Sequence, residues 1–116
     1  MNLIPCKIVD GTVIIDPDGV AHRMTLDRLP NGEAHTLGIR PEYIVPHAEE
    51  VENSIPAEQY VTQMLGSESL IIVRVGEHLV TVRLFGDETP EYPQTVWLTF
   101  NQDRLYFYDS AGELLQ

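Results

Sequence analysis

Turn signals recur along this chain about every 8–12 residues, and each segment between them is too short and too β-branched to be a globular helix. Asp10-Gly11 separates Leu3–Val9 from Thr12–Asp16, and both turn positions tolerate the positive φ of a type I′ hairpin. Pro17-Asp18-Gly19 and Pro30-Asn31-Gly32 follow, bracketing a possible strand at Val20–Leu26 in which Val20, His22, Met24 and Leu26 alternate to one side. Thr36–Arg40 is strand-like and is stopped by Pro41; Tyr43–Val45 is expected to continue extended ahead of Pro46. Gly76-Glu77, a pair suited to a type II′ turn, joins Ser69–Val75 to His78–Phe85. Thr95–Phe100 and Arg104–Tyr108 flank Asn101-Gln102-Asp103, and Ser110-Ala111-Gly112 turns the chain before Leu114 and Leu115. No stretch of 11 or more residues carries a 3.6-residue apolar stripe. Tyr60–Leu65 fits a strand or one helical turn on pattern alone, and the one place for a short helix is around Pro56–Gln63. The expected class is all-β, a sandwich or barrel of roughly nine strands.

Between Pro46 and Pro56 the chain carries His47, Glu49, Glu50 and Glu52 with few large apolar side chains. This segment is expected to be an exposed connection between two halves, residues 1–53 and 54–116, packed as one compact domain. A chain of 116 residues can bury a core for such a unit without staples. The single Cys6 cannot form an internal disulfide, which suits a reducing compartment. No apolar run exceeds four residues, as at Leu70–Val73, so no segment reads as a membrane helix. No charged and then apolar leader opens the sequence.

Eighteen Asp and Glu against seven Lys and Arg leave a net charge of −11. Nucleic acid and anionic membrane surfaces are poor partners for such a chain. Catalytic motifs are absent: there is no G-x-x-x-x-G-K-S/T, G-x-G-x-x-G or G-x-S-x-G. Gly66-Ser67-Glu68-Ser69 sets two hydroxyls beside a carboxylate with no base in sequence, and reads as a strand-opening turn. His22, His35, His47 and His78 lack the paired spacing of a zinc site. Asp16-Pro17-Asp18-Gly19 has two carboxylates but no calcium-loop Glu after it. No catalytic, cofactor-binding or metal-binding residue is assigned. Seven of the nine aromatics fall in the last third, which suits a core plus an interface better than base stacking in so acidic a chain. Alternation through Leu105–Tyr108 directs one pair inward and the other, Tyr106 and Tyr108, outward as a candidate interface.

Leu37-Gly38-Ile39-Arg40-Pro41-Glu42 resembles a hallmark of the C-terminal regulatory region of ABC-transporter ATPase subunits of the carbohydrate-uptake type. Three further segments fall in the same order: Met1-Asn2-Leu3-Ile4-Pro5, Leu65-Gly66-Ser67-Glu68-Ser69, and Leu105–Asp109 followed by Gly112. The chain departs from the family pattern at Cys6, Tyr43 and Tyr108. The resemblance implies an OB-type β-barrel with a TOBE unit, the first half OB-like and the second the TOBE half. It marks Gly38, Ile39, Arg40, Pro41, Glu42, Gly66, Ser67 and Glu68 as motif residues with a scaffolding or regulatory role. Arg40 is expected to lock two strands by pairing with a carboxylate or backbone carbonyls. It also implies a non-catalytic regulatory and dimerisation role in a sugar or glycerol-phosphate importer, cytoplasmic and peripheral to the membrane. ATP and Mg would then belong to an ATPase domain outside this chain. The implied partners are a second copy, that ATPase domain, the membrane subunits indirectly, and a regulatory protein. The alternative is a stand-alone small-ligand or oxyanion sensor, since related TOBE units bind molybdate; a charge of −11 works against it.

Overall fold

A computed structural model describes residues 1–86 and 91–116. Among the described residues there are eleven strands: β1 (Asn2–Val9), β2 (Thr12–Ile15), β3 (His22–Thr25), β4 (Thr36–Ile39), β5 (Ile44–His47), β6 (Ile55–Met64), β7 (Glu68–Val75), β8 (His78–Phe85), β9 (Thr95–Phe100), β10 (Tyr106–Tyr108) and β11 (Leu114–Leu115). The described residues contain no α-helix, only 3-10 turns at Pro41–Tyr43 and Gln102–Arg104. The all-β expectation therefore holds. The helix expected at Pro56–Gln63 is instead part of β6, paired with β9 through Ile55–Glu58 and with β7 through Glu58–Met64, with a bulge at Tyr60. Two neighbours in register outweigh the local ambiguity of a short run.

The strands form two antiparallel sheets, β11-β10-β4-β1-β2-β3 and β5-β9-β6-β7-β8. Strand β1 changes partner at its middle. Asn2–Pro5 pair with β4 and Cys6–Val9 pair with β2. Pro5 has no N–H for the ladder, and its carbonyl instead accepts from the Asp16 N–H at 2.8 Å. That break curls the first sheet over the second. The expected turns form: Asp10 and Gly11 have φ of 51° and 79°, as type I′ demands, while Gly76 alone is positive in the β7–β8 turn, at 61°, as in type II′.

One core lies between the sheets. From the first come Ile4, Val13, Ile15, Leu37 and Ile39; from the second Ile44, Ile55, Ile71, Val73 and Leu98, all fully buried. The predominance of β-branched side chains follows from packing on pleated surfaces. Val20 departs from the expected alternation: it lies outside β3 and is exposed, because the turn after Asp16 carries it past the sheet.

The two sheets do not divide at 53/54. The first is built from residues 2–39 and 106–115 and the second from 44–100. The chain crosses between sheets twice, at Arg40–Tyr43 and at Asn101–Leu105, so the C-terminus returns to the sheet where the chain began. Thr95–Phe100 and Tyr106–Tyr108 are consequently in different sheets. The Pro46–Pro56 segment is likewise not a junction between sheets. Pro46 is a buried residue of edge strand β5 and Pro56 belongs to β6, and both strands flank β9. An edge strand tolerates proline because one side of it needs no N–H.

Candidate functional site

The motif at Leu37–Glu42 forms the end of β4 and the first crossover. Leu37 and Ile39 point into the core and are fully buried. Gly38 faces outward, opposite Leu3 on one side and Tyr106 on the other. A Cβ on Gly38 would stand 2.8 Å from Met1 Sδ, 3.0 Å from Tyr108 Cε2 and 3.3 Å from a Leu3 methyl. Glycine here leaves a floor beneath three converging side chains. Pro41 opens the 3-10 turn, closed by the Tyr43 N–H donating to the Arg40 carbonyl at 3.0 Å. Glu42 sits half-buried in that turn.

Arg40 lies just past the end of β4, at the start of the first crossover. Its side chain is exposed and makes no hydrogen bond or ion pair with the described residues. The cation that joins the crossovers is Arg104, whose guanidinium lies 5.1 Å from the centre of the Tyr43 ring. The Asn101 N–H donates to the Tyr43 carbonyl at 3.0 Å beside it. The outgoing and returning crossovers are thus neighbours, tied by residues 61 positions apart.

Two side-chain amides close the seams between sheets. Asn2, on β1, donates from Nδ2 to the Thr81 carbonyl at 2.8 Å and accepts at Oδ1 from the Thr81 N–H at 2.9 Å. Thr81 is on β8, the edge of the other sheet. Asn53, before β6, does the same to Thr25 on edge strand β3, at 2.7 and 3.0 Å. Each sheet therefore lends an amide that occupies the other's open edge. Such edges otherwise offer unpaired N–H and C=O groups to any passing strand.

A third seam is polar and half-buried. Asp16 has φ of 55° and its carboxylate accepts from the Val20 N–H at 3.1 Å and meets His78 Nε2 at 3.2 Å. A Cβ on either Gly19 or Gly76 would collide with that carboxylate. Asp18 and Glu77 line the same cleft. Burial lowers the pKa of His22, on the strand paired with β2, and Asp16 opposes the shift. The cleft's carboxylates repel an oxyanion.

At Leu65–Ser69 the chain forms the β6–β7 turn. Gly66 has φ of 81°, the Leu65 N–H donates to the Glu68 carbonyl, and the exposed Ser67 accepts from the Gly86 N–H, both at 2.8 Å. Glu68 lies 3.7 Å from Arg83 Nε. No histidine stands on this turn, and Ser69 Oγ is buried against Met64 Sδ. His47 Nε2 lies 3.0 Å from Thr99 Oγ1, and His35 pairs with Glu33 at the surface. Among the described residues no three His, Cys, Asp or Glu converge as a metal site. Burial pushes the Cys6 thiol up to about 12, which leaves it without a reactive thiolate.

Tyr106 and Tyr108 point outward from β10 while Phe107 enters the core. Tyr108 packs beside Met1, and these two with Leu3, Thr36 and Gly112 surround a groove of about 340 Å³. The Asn2, Asn53 and Asp16–His78 links were not legible in the sequence. Their partners are 28 to 79 positions apart, and only the fold brings them together.

The TOBE domain family model matches residues 37–107. The sn-glycerol-3-phosphate import ATP-binding protein UgpC of Shigella sonnei (strain Ss046) is 35% identical over 94% of this chain and 31% of its own length. The protein of that name in Escherichia coli (strain K12) is 35% identical over 67% of this chain and 22% of its own length. That of Shigella boydii serotype 4 (strain Sb227) is 36% identical over the same shares. The chain spans less than a third of the length of these relatives. The curled all-β architecture is the OB-type fold of the matched domain.

Proposed function

The chain belongs to the TOBE domain family, and from that premise we propose that it is the non-catalytic regulatory and dimerisation part of an importer's ATP-binding subunit. The carrying observation is the match across 94% of the chain to a glycerol-3-phosphate import ATP-binding protein of which it spans 31%. A sugar or glycerol phosphate is the solute class that this relationship supports. The mechanism is a rigid tail. Its contact with a second copy, or with a regulatory protein, biases opening and closing of an ATPase dimer carried on the same subunits. Such a tail must transmit force without deforming, and the reciprocal amides, the Asp16–His78 contact and the Arg104–Tyr43 contact hold the two sheets as one body. The ATPase domain and the membrane subunits are its partners at one remove, at the inner face of the membrane. Of the motif residues at the first crossover, Arg40 is exposed and Pro41 and Glu42 are half-buried, a corner that a regulator can reach. Nucleotide binding is not expected of this chain, so ATP and Mg act elsewhere in the subunit. Titration calorimetry with MgATP checks this. No binding heat is expected, and saturable binding would overturn the non-catalytic reading.

A further inference from the structure

Strand β6 is paired unevenly along its length. Strand β7 accompanies it as far as Met64, whereas β9 pairs only with Ile55–Glu58. On the β9 side the last backbone bond among the described residues is the Gln59 N–H donating to the Gln94 carbonyl at 2.8 Å. The bulge at Tyr60 stands where β9 ends. At the far end the Leu65 N–H donates to the Glu68 carbonyl across the turn. Antiparallel bonds alternate, so Gln63 and Val61 direct their backbone groups to β7, and Thr62 and Met64 direct theirs to the opposite side. Among the described residues nothing takes up those groups. Every residue from Tyr60 to Met64 is exposed, Tyr60 at 60%, Val61 at 41% and Met64 at 43%.

The edge strands of the two sheets are blunted. The Asn2 and Asn53 amides occupy β8 and β3, β5 contains Pro46, and β11 is two residues long. The stretch Tyr60-Val61-Thr62-Gln63-Met64 has none of these devices. It holds no proline and no charge, and its β-branched and aromatic side chains favour extended pairing. Strand addition uses such an edge, with main-chain bonds giving affinity and alternate side chains giving selectivity. Charge selects the occupant. Glu58 is exposed at one end of the stretch, and half-buried Glu68 lies across the turn at the other, in a chain of net charge −11. A second acidic copy is repelled there and a cationic segment is drawn in.

We propose that the distal half of β6 is a docking edge for an extended, cationic segment of a partner protein. The segment adds as a strand antiparallel to β6, in line with β9. Its backbone pairs with Thr62 and Met64, and its alternate apolar side chains lie beside Val61 on one face and Met64 on the other. A Lys or Arg at its C-terminal end comes near Glu58. The proposal rests on the regulator contact proposed above and gives that contact a place on the fold, separate from any contact with a second copy.

Amide NMR of this chain during titration with the peptide acetyl-Lys-Val-Thr-Val-Thr-Val-Lys-amide tests the proposal. Saturable shifts centred on Thr62 and Met64 are expected, with hydrogen exchange at those two amides slowed at least about tenfold. The peptide N-methylated at every second residue keeps one bonding edge and should still bind. N-methylated at every residue it has no N–H to offer, and should bind at least about tenfold more weakly. Thr62→Pro, which removes an N–H directed away from β7, should weaken binding of the unmodified peptide to the same degree, and Thr62→Val should not. The methylated peptides decide the matter if Thr62→Pro does not fold. Equal binding of the fully methylated peptide would overturn strand addition. Equal binding of the peptide with Glu at both ends would overturn the cationic occupant. No saturable shift up to about 2 mM peptide, or shifts centred away from Thr62 and Met64, would overturn the docking edge while leaving the regulator contact to the corner at Arg40.

Discussion

Asn2 does for β8 what a neighbouring strand would do, with one donor and one acceptor on the backbone of Thr81. Removing it leaves two half-buried backbone groups without partners. Asn2→Ala is expected to cost about 1–3 kcal/mol of stability, measured by urea denaturation. A change below about 0.5 kcal/mol, typical of an unlinked surface position, would contradict the role assigned to this amide. His22 carries the pH dependence at this scale. Burial holds its folded pKa below the ordinary value, so the unfolded chain binds the proton more readily. The His22 contribution is thus fully present above the ordinary histidine pKa and is lost as pH falls through the lowered folded pKa. Stability should drop on acidification from about pH 7 to pH 5, and less steeply in His22→Gln. Parallel curves for the two proteins would remove His22 from the account. None of this was readable before the fold. Asn2 belongs to a motif and His22 to an alternation, but the Thr81 backbone and the buried Asp16 carboxylate come from elsewhere in the chain.

At the scale of elements, local chemistry was a good guide wherever it was strong. Asp10-Gly11 and Gly76-Glu77 dictated two hairpins through the backbone conformations that their residues allow. The residues Pro56–Gln63 were ambiguous because eight residues without a clean period fit strand and helix alike. Pairing with both β9 and β7 decided for strand. Where the two crossovers meet, Arg104, on the returning one, stacks on Tyr43, a contact that spacing along the chain does not announce. The β7–β8 turn makes its own prediction. Gly76 needs positive φ and also leaves room for the Asp16 carboxylate. Gly76→Ala is expected to cost about 1–3 kcal/mol from backbone strain and collision together. In an Asp16→Ser background the cost should shrink, since the collision is gone. A double-mutant cycle with no coupling would place the whole cost in the turn.

For the molecule as a whole, the interleaved connectivity matters most. Residues 2–39 and 106–115 share a sheet, so neither terminus is expendable, and the single core joins every long strand. The sequence motifs pointed to the family correctly because they sit where the chain must turn, cross or close. They did not reveal that the C-terminal segment returns to the first sheet, since sheet membership depends on pairing across about 70 residues rather than on spacing. The acidic surface also has meaning at this scale. A net charge of −11 opposes indiscriminate association between copies.

The central claim is that this chain contacts its twin and leaves nucleotide to the rest of the subunit. Sedimentation velocity over a concentration series, run with and without MgATP, tests it most directly. The account predicts a reversible monomer–dimer equilibrium that MgATP leaves unchanged. A species that remains monomeric throughout, or one that dimerises only when MgATP is present, would contradict it.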